Sequence, residues 1–413
     1  MDNKMRRYFQ FLLVVLAAGS IYPMIYLRNS YQETILYVFG LDIQQLNNIY
    51  TALGFTFVVG YFPSGWISDK FSAKWLLAAS LFATSMGGFW FAQIPDANSV
   101  VAIFVIWGIF SVFTFWSAHM KVVKLLSTKE EEGRFFGILD GGRGLIEAIL
   151  AAIALFIFSN IVGDNGSTTS SREALQGVIY MYSGVLLVVS VLIAIFVDDI
   201  KETAPTKEKI KADKAELATV FKNKLVYLLG AIIFMGYTVT WGQFFISGHM
   251  EVNLGFSAVS AATLMVAFLW TRPVGGMLGG YLADRLNKEL IVGLSTLIAS
   301  VCFILLAILP SYLPEAVWWA IVLTAGLSLF CIRGTYWSLL GNLKISNKVI
   351  GLAIGYVSFW GYLPDVIAPQ MSNFAFGNFG DNGGFNAYFI ITGALGIIGV
   401  LLCFVFRKMT KEN

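Results

Sequence analysis

The chain has 413 residues, of which 57% are hydrophobic and 13% are charged, with a formal net charge of +3. A soluble domain carries about 25% charged residues, so a chain this apolar cannot present most of its surface to water. The lysine and arginine residues form short clusters between apolar stretches, as loops that set membrane topology do, so we expect no nucleic-acid partner. We therefore expect the lipid bilayer to be the main surrounding of this chain.

Apolar stretches long enough to cross a bilayer recur along the whole sequence. A bilayer core about 30 Å thick requires roughly 20 apolar residues per helix, and lipid forces every backbone polar group to be satisfied internally. The stretches lack the alternation of a membrane β-barrel. The sequence therefore predicts an all-α membrane protein with twelve transmembrane helices. The predicted spans lie at about residues 8–38, 44–68, 74–94, 100–126, 134–162, 174–197, 223–249, 256–283, 289–310, 315–342, 349–376 and 384–406.

Basic residues concentrate at the two termini and in the even-numbered connections between spans, for example in residues 201–224. Positive charge of this kind marks cytoplasmic loops, so both termini are predicted to be cytoplasmic. The first apolar stretch is long and has no small-residue cleavage pattern, which favours a span over a signal peptide. We expect an integral protein of a prokaryotic plasma (inner) membrane that acts as a monomer.

Two halves with related sequences are separated by the longest polar interval. This interval predicts a cytoplasmic linker at residues 198–222, between a six-helix half at 1–197 and a second at 223–413. The segment Gly65–Lys70 (GWISDK) ends span two, and Gly280–Arg285 (GYLADR) ends span eight 215 positions later. Parallel repeats of this kind are a known transporter architecture, with the binding site between them.

These segments carry a family resemblance. Gly65–Lys74 (GWISDKFSAK) resembles the loop signature of the major facilitator superfamily, with Ser72 in place of its second glycine, and Gly280–Lys288 resembles a degenerate second copy. The resemblance covers the chain through the span count, linker and repeat. It implies the major facilitator fold and transport across the membrane. It also implies that spans 1, 4, 7 and 10 surround a central cavity and that spans 2, 5, 8 and 11 lie between the halves.

The signature residues Asp69 and Lys70, with their counterparts Asp284 and Arg285, stand at helix ends on the predicted cytoplasmic side. Charges at such positions can pair with neighbouring groups in one conformation and release them in another. We interpret the four residues as a gating latch. The alternative is that they only set the topology of the loops.

Arg28 lies near the middle of span one, where a charge is costly unless it lines a cavity or is paired. Its surroundings are similar to the first-helix arginine region of the organophosphate antiporters, which carry glycerol phosphate and hexose phosphates. The resemblance implies that Arg28 binds an anion, and the planar guanidinium suits an oxyanion. The alternative is a structural partner for Glu33 or Asp365. Those antiporters have a second arginine in helix seven, where this chain has Gln243.

His119 in span four and Arg333 in span ten occupy equivalent positions of the repeat, 214 residues apart. Aromatic residues lie within one turn of each. Packing of His119 and a structural role for Arg333 stay open as alternatives. The predicted substrate-binding residues are Arg28, His119, Gln243, Arg333, Trp116, Trp337 and Tyr336.

Other intramembrane charges are assigned to gating or to proton transfer. Glu147 in span five and Arg272 in span eight lie at similar depth, and the resemblance implies that these spans face each other. We expect them to pair between the halves, with direct substrate contact as the second possibility. Glu33, Asp140 and Asp365 are possible protonation sites.

The chain has no nucleotide-binding motif, no metal-ligand cluster and no nucleophile–base constellation, and its three cysteines form no paired motif. We therefore expect neither an enzyme nor a cofactor or metal. The resemblance implies a secondary active transporter, and the arginines favour a small organic anion such as a phosphate ester, sulfonate or carboxylate, with a co-transported proton or an exchanged anion. The alternatives are a proton-coupled carrier of a neutral or zwitterionic solute and, from other classes, a non-transporting membrane sensor or a membrane-embedded enzyme.

The predicted topology can be measured by labelling. A cysteine placed at Lys209 in the linker should stay unlabelled by a membrane-impermeant maleimide on intact cells. A cysteine at Ser170, near the loop predicted on the outer side of the membrane, should react. After permeabilisation both should react. Labelling of the linker position in intact cells would reverse the predicted orientation.

Overall fold

The computed structural model describes residues 3–127, 131–163, 168–199, 219–343 and 350–412, and the regular elements in these ranges are all helices. The packing divides the chain into two compact units. Unit 1 comprises Met1–Thr203 with Met250–Trp270, and unit 2 comprises Ala204–His249 with Thr271–Asn413. The predicted linker lies largely outside the described residues, so the boundaries of the two sequence halves remain a prediction.

In unit 1, long apolar helices pack along their lengths, with a first helix that contacts the last two. α1 packs on α7 and α8, α4 packs on α8, and α3 packs on α5. A π-helical turn at Ile109–Thr114 joins α5 to α6. The helices are α1 (Asn3–Ile25), α2 (Arg28–Phe39), α3 (Ile43–Lys70), α4 (Ala73–Phe91), α5 (Ala97–Gly108), α6 (Trp116–Leu126), α7 (Glu132–Val162) and α8 (Thr168–Phe196).

Unit 2 is built around α12 and α15, which pack against each other, while α9 packs on α14 and α15. Helices α10 and α11 contribute residues to both units. 3₁₀ turns at Gly242–Phe245 and Tyr336–Leu343 follow α9 and α13. The helices are α9 (Lys224–Trp241), α10 (Ile246–Val252), α11 (Ala258–Arg285), α12 (Lys288–Ile308), α13 (Glu315–Thr335), α14 (Ile350–Gly361) and α15 (Pro364–Glu412).

Each predicted span coincides with a helix or with helices in series, and the all-α membrane fold is confirmed. Among the described residues, nine segments are long and apolar enough to cross a membrane. The last of them, Ala353–Lys411, has 59 residues, about three times the length that one crossing needs. It contains Gly380 in a left-handed conformation (φ 69°), and this residue separates predicted spans eleven and twelve. Helices α3 and α4 correspond to predicted spans two and three.

Close approach between α1 and α7 depends on glycine. A Cβ atom on Gly19 would lie 2.6 Å from Ile146 Cβ and 3.0 Å from the backbone oxygen of Arg143. On the opposite helix, a Cβ atom on Gly142 would lie 2.6 Å from a methyl carbon of Val15. Small residues of this kind allow membrane helices to gain packing contacts that lipid cannot provide. The contact also fixes the position of Arg143, which follows Gly142.

This contact predicts a stability difference between two glycine substitutions. Gly19→Val should destabilise the protein by about 1 to 3 kcal/mol, because the added methyl groups would overlap with α7. Gly184→Val is the matched control, since a Cβ atom there meets no atom within 4 Å. Thermal unfolding of the purified variants in detergent measures both. Equal midpoints for the two variants would contradict the tight contact.

Candidate functional site

Predicted spans one, four and seven are interrupted in the structure, at the break between Ile25 and Arg28, the π turn Ile109–Thr114 and the 3₁₀ turn Gly242–Phe245. Span ten ends in the 3₁₀ turn Tyr336–Leu343, and span eleven is interrupted between Gly361 and Pro364. Irregular backbone is tolerated at membrane depth only where protein buries it or where it lines a cavity. The sequence resemblance assigns the first four of these spans to the central cavity, and the search for a site begins at these irregular segments.

The break in span one places Arg28 at the first residue of α2 and leaves Tyr31 with non-helical dihedral angles (φ −136°, ψ 34°). The Tyr50 hydroxyl on α3 donates to the Ile25 carbonyl oxygen at 2.8 Å. That carbonyl lies at the end of α1, so a side chain replaces the helical hydrogen bond that the break removes. Sequence analysis gave residues 8–38 as one span and did not note the break, although Pro23, two residues before Ile25, was an available signal.

Arg28 is fully buried, and neutral groups orient its guanidinium. Nη1 donates to Asn47 Oδ1 at 3.0 Å, and Nη2 donates to Gln32 Oε1 at 2.7 Å. The Cζ atom lies 4.9 Å from the centroid of the Tyr50 ring, a cation–π distance. The planar fork is therefore held in one orientation by α2 and α3, and unit 1 contains a pre-oriented cation at the predicted anion-binding position.

Glu33 is linked to this arginine through an amide. Gln32 Nε2 donates to Glu33 Oε1 at 3.1 Å, and Gln32 Oε1 accepts from Arg28. Glu251, near the end of α10, is close enough for its charge to interact with that of Glu33. Its Oε1 is buried and accepts no hydrogen bond from the described residues. Sequence analysis missed Glu251, because it lies beyond the end of predicted span seven.

His119 is buried in α6, and the contacts described for its ring are with the nearby residues Phe115 and Trp116. Its Nδ1 lies 3.2 Å from the Phe115 carbonyl oxygen, and its ring stacks on Phe115 with 5.1 Å between centroids. Trp116 packs edge-on against the His119 ring at 5.3 Å. Arg143 is near enough to exert an electrostatic effect on the imidazole. The structure thus places His119, Trp116 and Arg143 near one another, and their role at a substrate site stays a prediction.

Arg143 connects α7 to the other helices of unit 1. Its Nε lies 3.4 Å from Glu147 Oε1, and its Cζ lies 5.0 Å from the Tyr22 ring centroid. The Tyr22 hydroxyl donates to the Ser111 carbonyl oxygen in the π turn at 3.2 Å. The described ion pair of Glu147 is therefore with its own helix. Arg272, in unit 2, packs with its Cζ 5.7 Å from the Phe330 ring, and its pairing with Glu147 stays a prediction.

Asp365 is the centre of the polar cluster in unit 2. It lies at the start of α15, after the interruption between Gly361 and Pro364, and is 2% exposed. Its Oδ1 accepts hydrogen bonds from Tyr237 Oη at 2.7 Å and Trp241 Nε1 at 3.1 Å, both on α9. Its Oδ2 is buried and accepts no hydrogen bond from the described residues. The charge of Arg333 acts on this carboxyl group.

Aromatic residues surround Asp365. The Tyr362 hydroxyl accepts from Trp337 Nε1 at 2.9 Å and lies 3.4 Å from the Tyr336 hydroxyl. The Tyr237 ring packs edge-on against Tyr362 at 5.1 Å. The structure thus links the predicted residues Tyr336 and Trp337 to Asp365 through Tyr362 and Tyr237. Sequence analysis left out Tyr237 and Tyr362; their spacing from Trp241 and Asp365, four and three residues, was the available signal.

Two further predicted site residues are Gln243 and Asp140. Gln243 lies in the 3₁₀ turn Gly242–Phe245, and its Nε2 donates to the Thr240 carbonyl oxygen at the end of α9 at 2.9 Å. The side chain of Asp140 is exposed. Among the described residues, no group of three or more histidine, cysteine or acidic side chains could hold a metal ion.

Both copies of the loop signature place a cation over an aromatic ring. Lys70 Nζ lies 3.9 Å from the Trp66 ring centroid, and Arg285 Cζ lies 4.5 Å from that of Tyr281. The two pairs occupy equivalent positions of the repeat. Asp284 is exposed, and the side chain of Asp69 lies outside the described residues. The latch role of the four charged residues remains a prediction.

Residues 8–369 match the family profile described as Major Facilitator Superfamily. The chain belongs to this superfamily. Like other major facilitator proteins, it is an integral membrane transporter of small molecules. "Inner membrane protein YihN" of Escherichia coli (strain K12) is 26% identical over 404 residues, covering 96% of this chain and 92% of YihN.

Two further comparisons agree with this membership. "Probable galactarate/D-glucarate transporter GudP" of Bacillus subtilis (strain 168) is 22% identical over 415 residues, covering 89% of this chain and 85% of that protein. A crystal structure of a bacterial homolog to the human lysosomal transporter Spinster, inward-facing and unoccupied, has a TM-score of 0.76 and 14% identity. It covers 100% of this chain and 98% of that one. This structural likeness shows the major facilitator fold.

The hydrogen bonds to Asp365 can be tested separately from transport. Tyr237→Phe should lower stability by about 1 to 3 kcal/mol, because it removes a donor from a buried carboxyl group. Tyr227→Phe on the same helix is the control, since that hydroxyl donates to the Phe221 carbonyl oxygen at an exposed position. Thermal unfolding in detergent compares them. An effect of Tyr227→Phe as large as that of Tyr237→Phe would contradict the special role of the buried bond.

Proposed function

We propose that this major facilitator transporter carries a small organic anion, such as a phosphate ester, sulfonate or carboxylate, by alternating access. The observation that carries the proposal is Arg28, a fully buried guanidinium oriented by Asn47, Gln32 and Tyr50. A buried arginine at a helix break is energetically costly in a membrane, and such residues usually mark a binding site or a pathway. A pre-oriented fork suits bidentate binding of an oxyanion, because little rotamer entropy remains to be lost.

Arg333 is the proposed second cation, in the other unit. Its side chain is partly exposed and lies near the cluster of Asp365, Tyr362 and Trp337. An alternating-access carrier needs groups from both halves at its site, so that rocking exposes the substrate to each side in turn. The name of GudP supports the anion class, since galactarate and D-glucarate are carboxylate anions. The proposed location is a prokaryotic inner membrane, with both termini cytoplasmic.

The other predicted residues take supporting roles in this proposal. His119 and Trp116 shape the substrate space on the unit 1 side, and Tyr336, Trp337 and Gln243 do so on the unit 2 side. Asp69, Lys70, Asp284 and Arg285 act as latches at the helix ends. Glu147 and Arg272 pair between the halves in one conformation. Each latch or pair would control the rate of conformational exchange more than the affinity for the substrate.

A second candidate function is a proton-coupled carrier of a neutral or zwitterionic solute, and Asp365 favours it. The carboxyl group is almost fully buried, and its Oδ2 accepts no hydrogen bond from the described residues. Tyr237 and Trp241 from α9 and Arg333 from α13 are the groups that act on it. In this candidate, Asp365 binds and releases the coupled proton, with Glu33 and Asp140 as further protonation sites.

The anion proposal is tested by direct binding to the purified protein of a panel containing a phosphate ester, a sulfonate and a dicarboxylate. Arg28→Lys and Arg333→Lys keep the charge but lose the planar fork, so each should weaken anion binding about tenfold or more. Arg172→Lys, at an exposed position of α8, is the matched control and should bind as the wild type does. Wild-type affinity in both site variants would remove the arginines from the site.

The same measurements separate the two candidates when Asp365→Asn is included. The anion proposal expects Asp365→Asn to retain anion binding, since the two arginines remain. The second candidate expects this variant to lose the proton uptake that accompanies solute transport in liposomes, while the arginine variants leave solute affinity unchanged. Opposite results in the two assays therefore decide between the candidates.

A further inference from the structure

One side chain of α3, that of Tyr50, contacts both sides of the break in span one. Its hydroxyl donates to the carbonyl oxygen of Ile25, the last residue of α1, at 2.8 Å. The same hydroxyl interacts with the backbone N–H of Arg28, the first residue of α2. A single hydroxyl group thus bridges a backbone acceptor and a backbone donor that a continuous helix would satisfy with its own hydrogen bonds. The course of the chain through the break therefore depends on this phenol.

The ring of Tyr50 contacts the side chain of the same arginine. The Arg28 Cζ atom lies 4.9 Å from the ring centroid, and Asn47, one turn earlier on α3, accepts a hydrogen bond from Nη1 at 3.0 Å. Tyr50 therefore contacts Arg28 at two points, with its hydroxyl at the backbone and with its ring at the guanidinium. A displacement of this phenol would change the backbone at the break and the orientation of the guanidinium together.

A series of aromatic contacts fixes the position of Tyr50, which is buried. Phe104 of α5 packs edge-on against the Tyr50 ring, with 5.1 Å between the ring centroids. Phe91 of α4 packs edge-on against Phe104 at 6.0 Å, and it stacks on Phe39, the last residue of α2, at 4.5 Å. Because Tyr50 contacts the first residue of α2 and Phe91 contacts its last, one set of packed rings holds both ends of this helix.

We infer that Tyr50 is a positioning residue of the anion site, which directs the Arg28 guanidinium by fixing the break in span one. The inference rests on the proposed role of Arg28 as the anion anchor. Bidentate binding of an oxyanion depends on the direction of the guanidinium plane, because both N–H groups must point at the ligand. Tyr50 acts on the anion only through Arg28. Loss of its hydroxyl, which lies at the backbone, should therefore reduce the affinity for the anion.

Tyr50→Phe tests the hydroxyl, because it keeps the ring and removes only the bridge. Binding of glycerol phosphate, ethanesulfonate and galactarate to the purified full-length chain is measured by titration calorimetry. The variant should bind the anion that the wild type prefers about threefold to tenfold more weakly, the equivalent of one hydrogen bond. Ser190→Ala is the matched control, since the buried Ser190 hydroxyl of α8 donates to the Ala78 carbonyl oxygen of α4 at the same 2.8 Å.

The control separates positioning from stability. Both substitutions remove a hydrogen bond between two helices, so both should lower the midpoint of thermal unfolding. Only Tyr50→Phe should lower the affinity for the anion. Equal losses of affinity in the two variants, or wild-type affinity in Tyr50→Phe, would overturn the inference. If Tyr50→Phe cannot be purified, Phe104→Leu removes the ring that packs against Tyr50 and should weaken anion binding in the same way; unchanged affinity in that variant would also overturn the inference.

A double-mutant cycle with Arg28→Lys tests whether Tyr50 acts through the arginine. Lysine has no planar fork, so Tyr50→Phe should cause no further loss of anion affinity in the Arg28→Lys background. Additive losses would indicate a general effect on packing and would overturn the inference. Wild-type affinity in Arg28→Lys alone would instead refute the proposed anion site, and the inference with it. A weakened Arg28→Lys beside an unchanged Tyr50→Phe would refute the inference only.

Discussion

Hydrocarbon cannot accept or donate hydrogen bonds, and this constraint governs where the chain can leave the α-helix. Each interruption in a span removes backbone hydrogen bonds, which other protein groups must replace. The break after Ile25 meets the requirement with the Tyr50 hydroxyl, and the turn at Gly242–Phe245 meets part of it with the Gln243 amide. Polar side chains therefore lie at the interruptions because they form hydrogen bonds with the freed backbone groups. The resulting clusters of polar side chains are where a binding site can form.

The polar groups near the interruptions differ between the two units. Unit 1 holds an arginine with amide oxygens and an aromatic face, whereas unit 2 holds a carboxyl group with a phenol and an indole. The two units therefore place unlike polar groups at their interruptions.

The sequence predicted the helices well because hydropathy and length follow directly from the thickness of the bilayer. It also identified Arg28, Arg333 and Asp365, since charges in lipid are conspicuous against an apolar background. It did not predict the break after Ile25, because Pro23 two residues earlier indicates a kink without showing that the helix ends there. Nor could it predict that Asn47 and Gln32 hold Arg28, because these contacts depend on the rotation of α3 against α2, a property of packing and not of composition.

The joint at Gly380 has a mechanical consequence. The helix that carries Asp365 and the last spanning helix meet at this one residue, whose φ of 69° places it in the left-handed region. Because no loop separates the two helices, there is no slack chain to absorb relative movement. A tilt of the Asp365 helix must either change the backbone dihedral angles of Gly380 or move the last spanning helix with it. The helix that carries Asp365 and the last spanning helix are therefore coupled through the backbone of this residue.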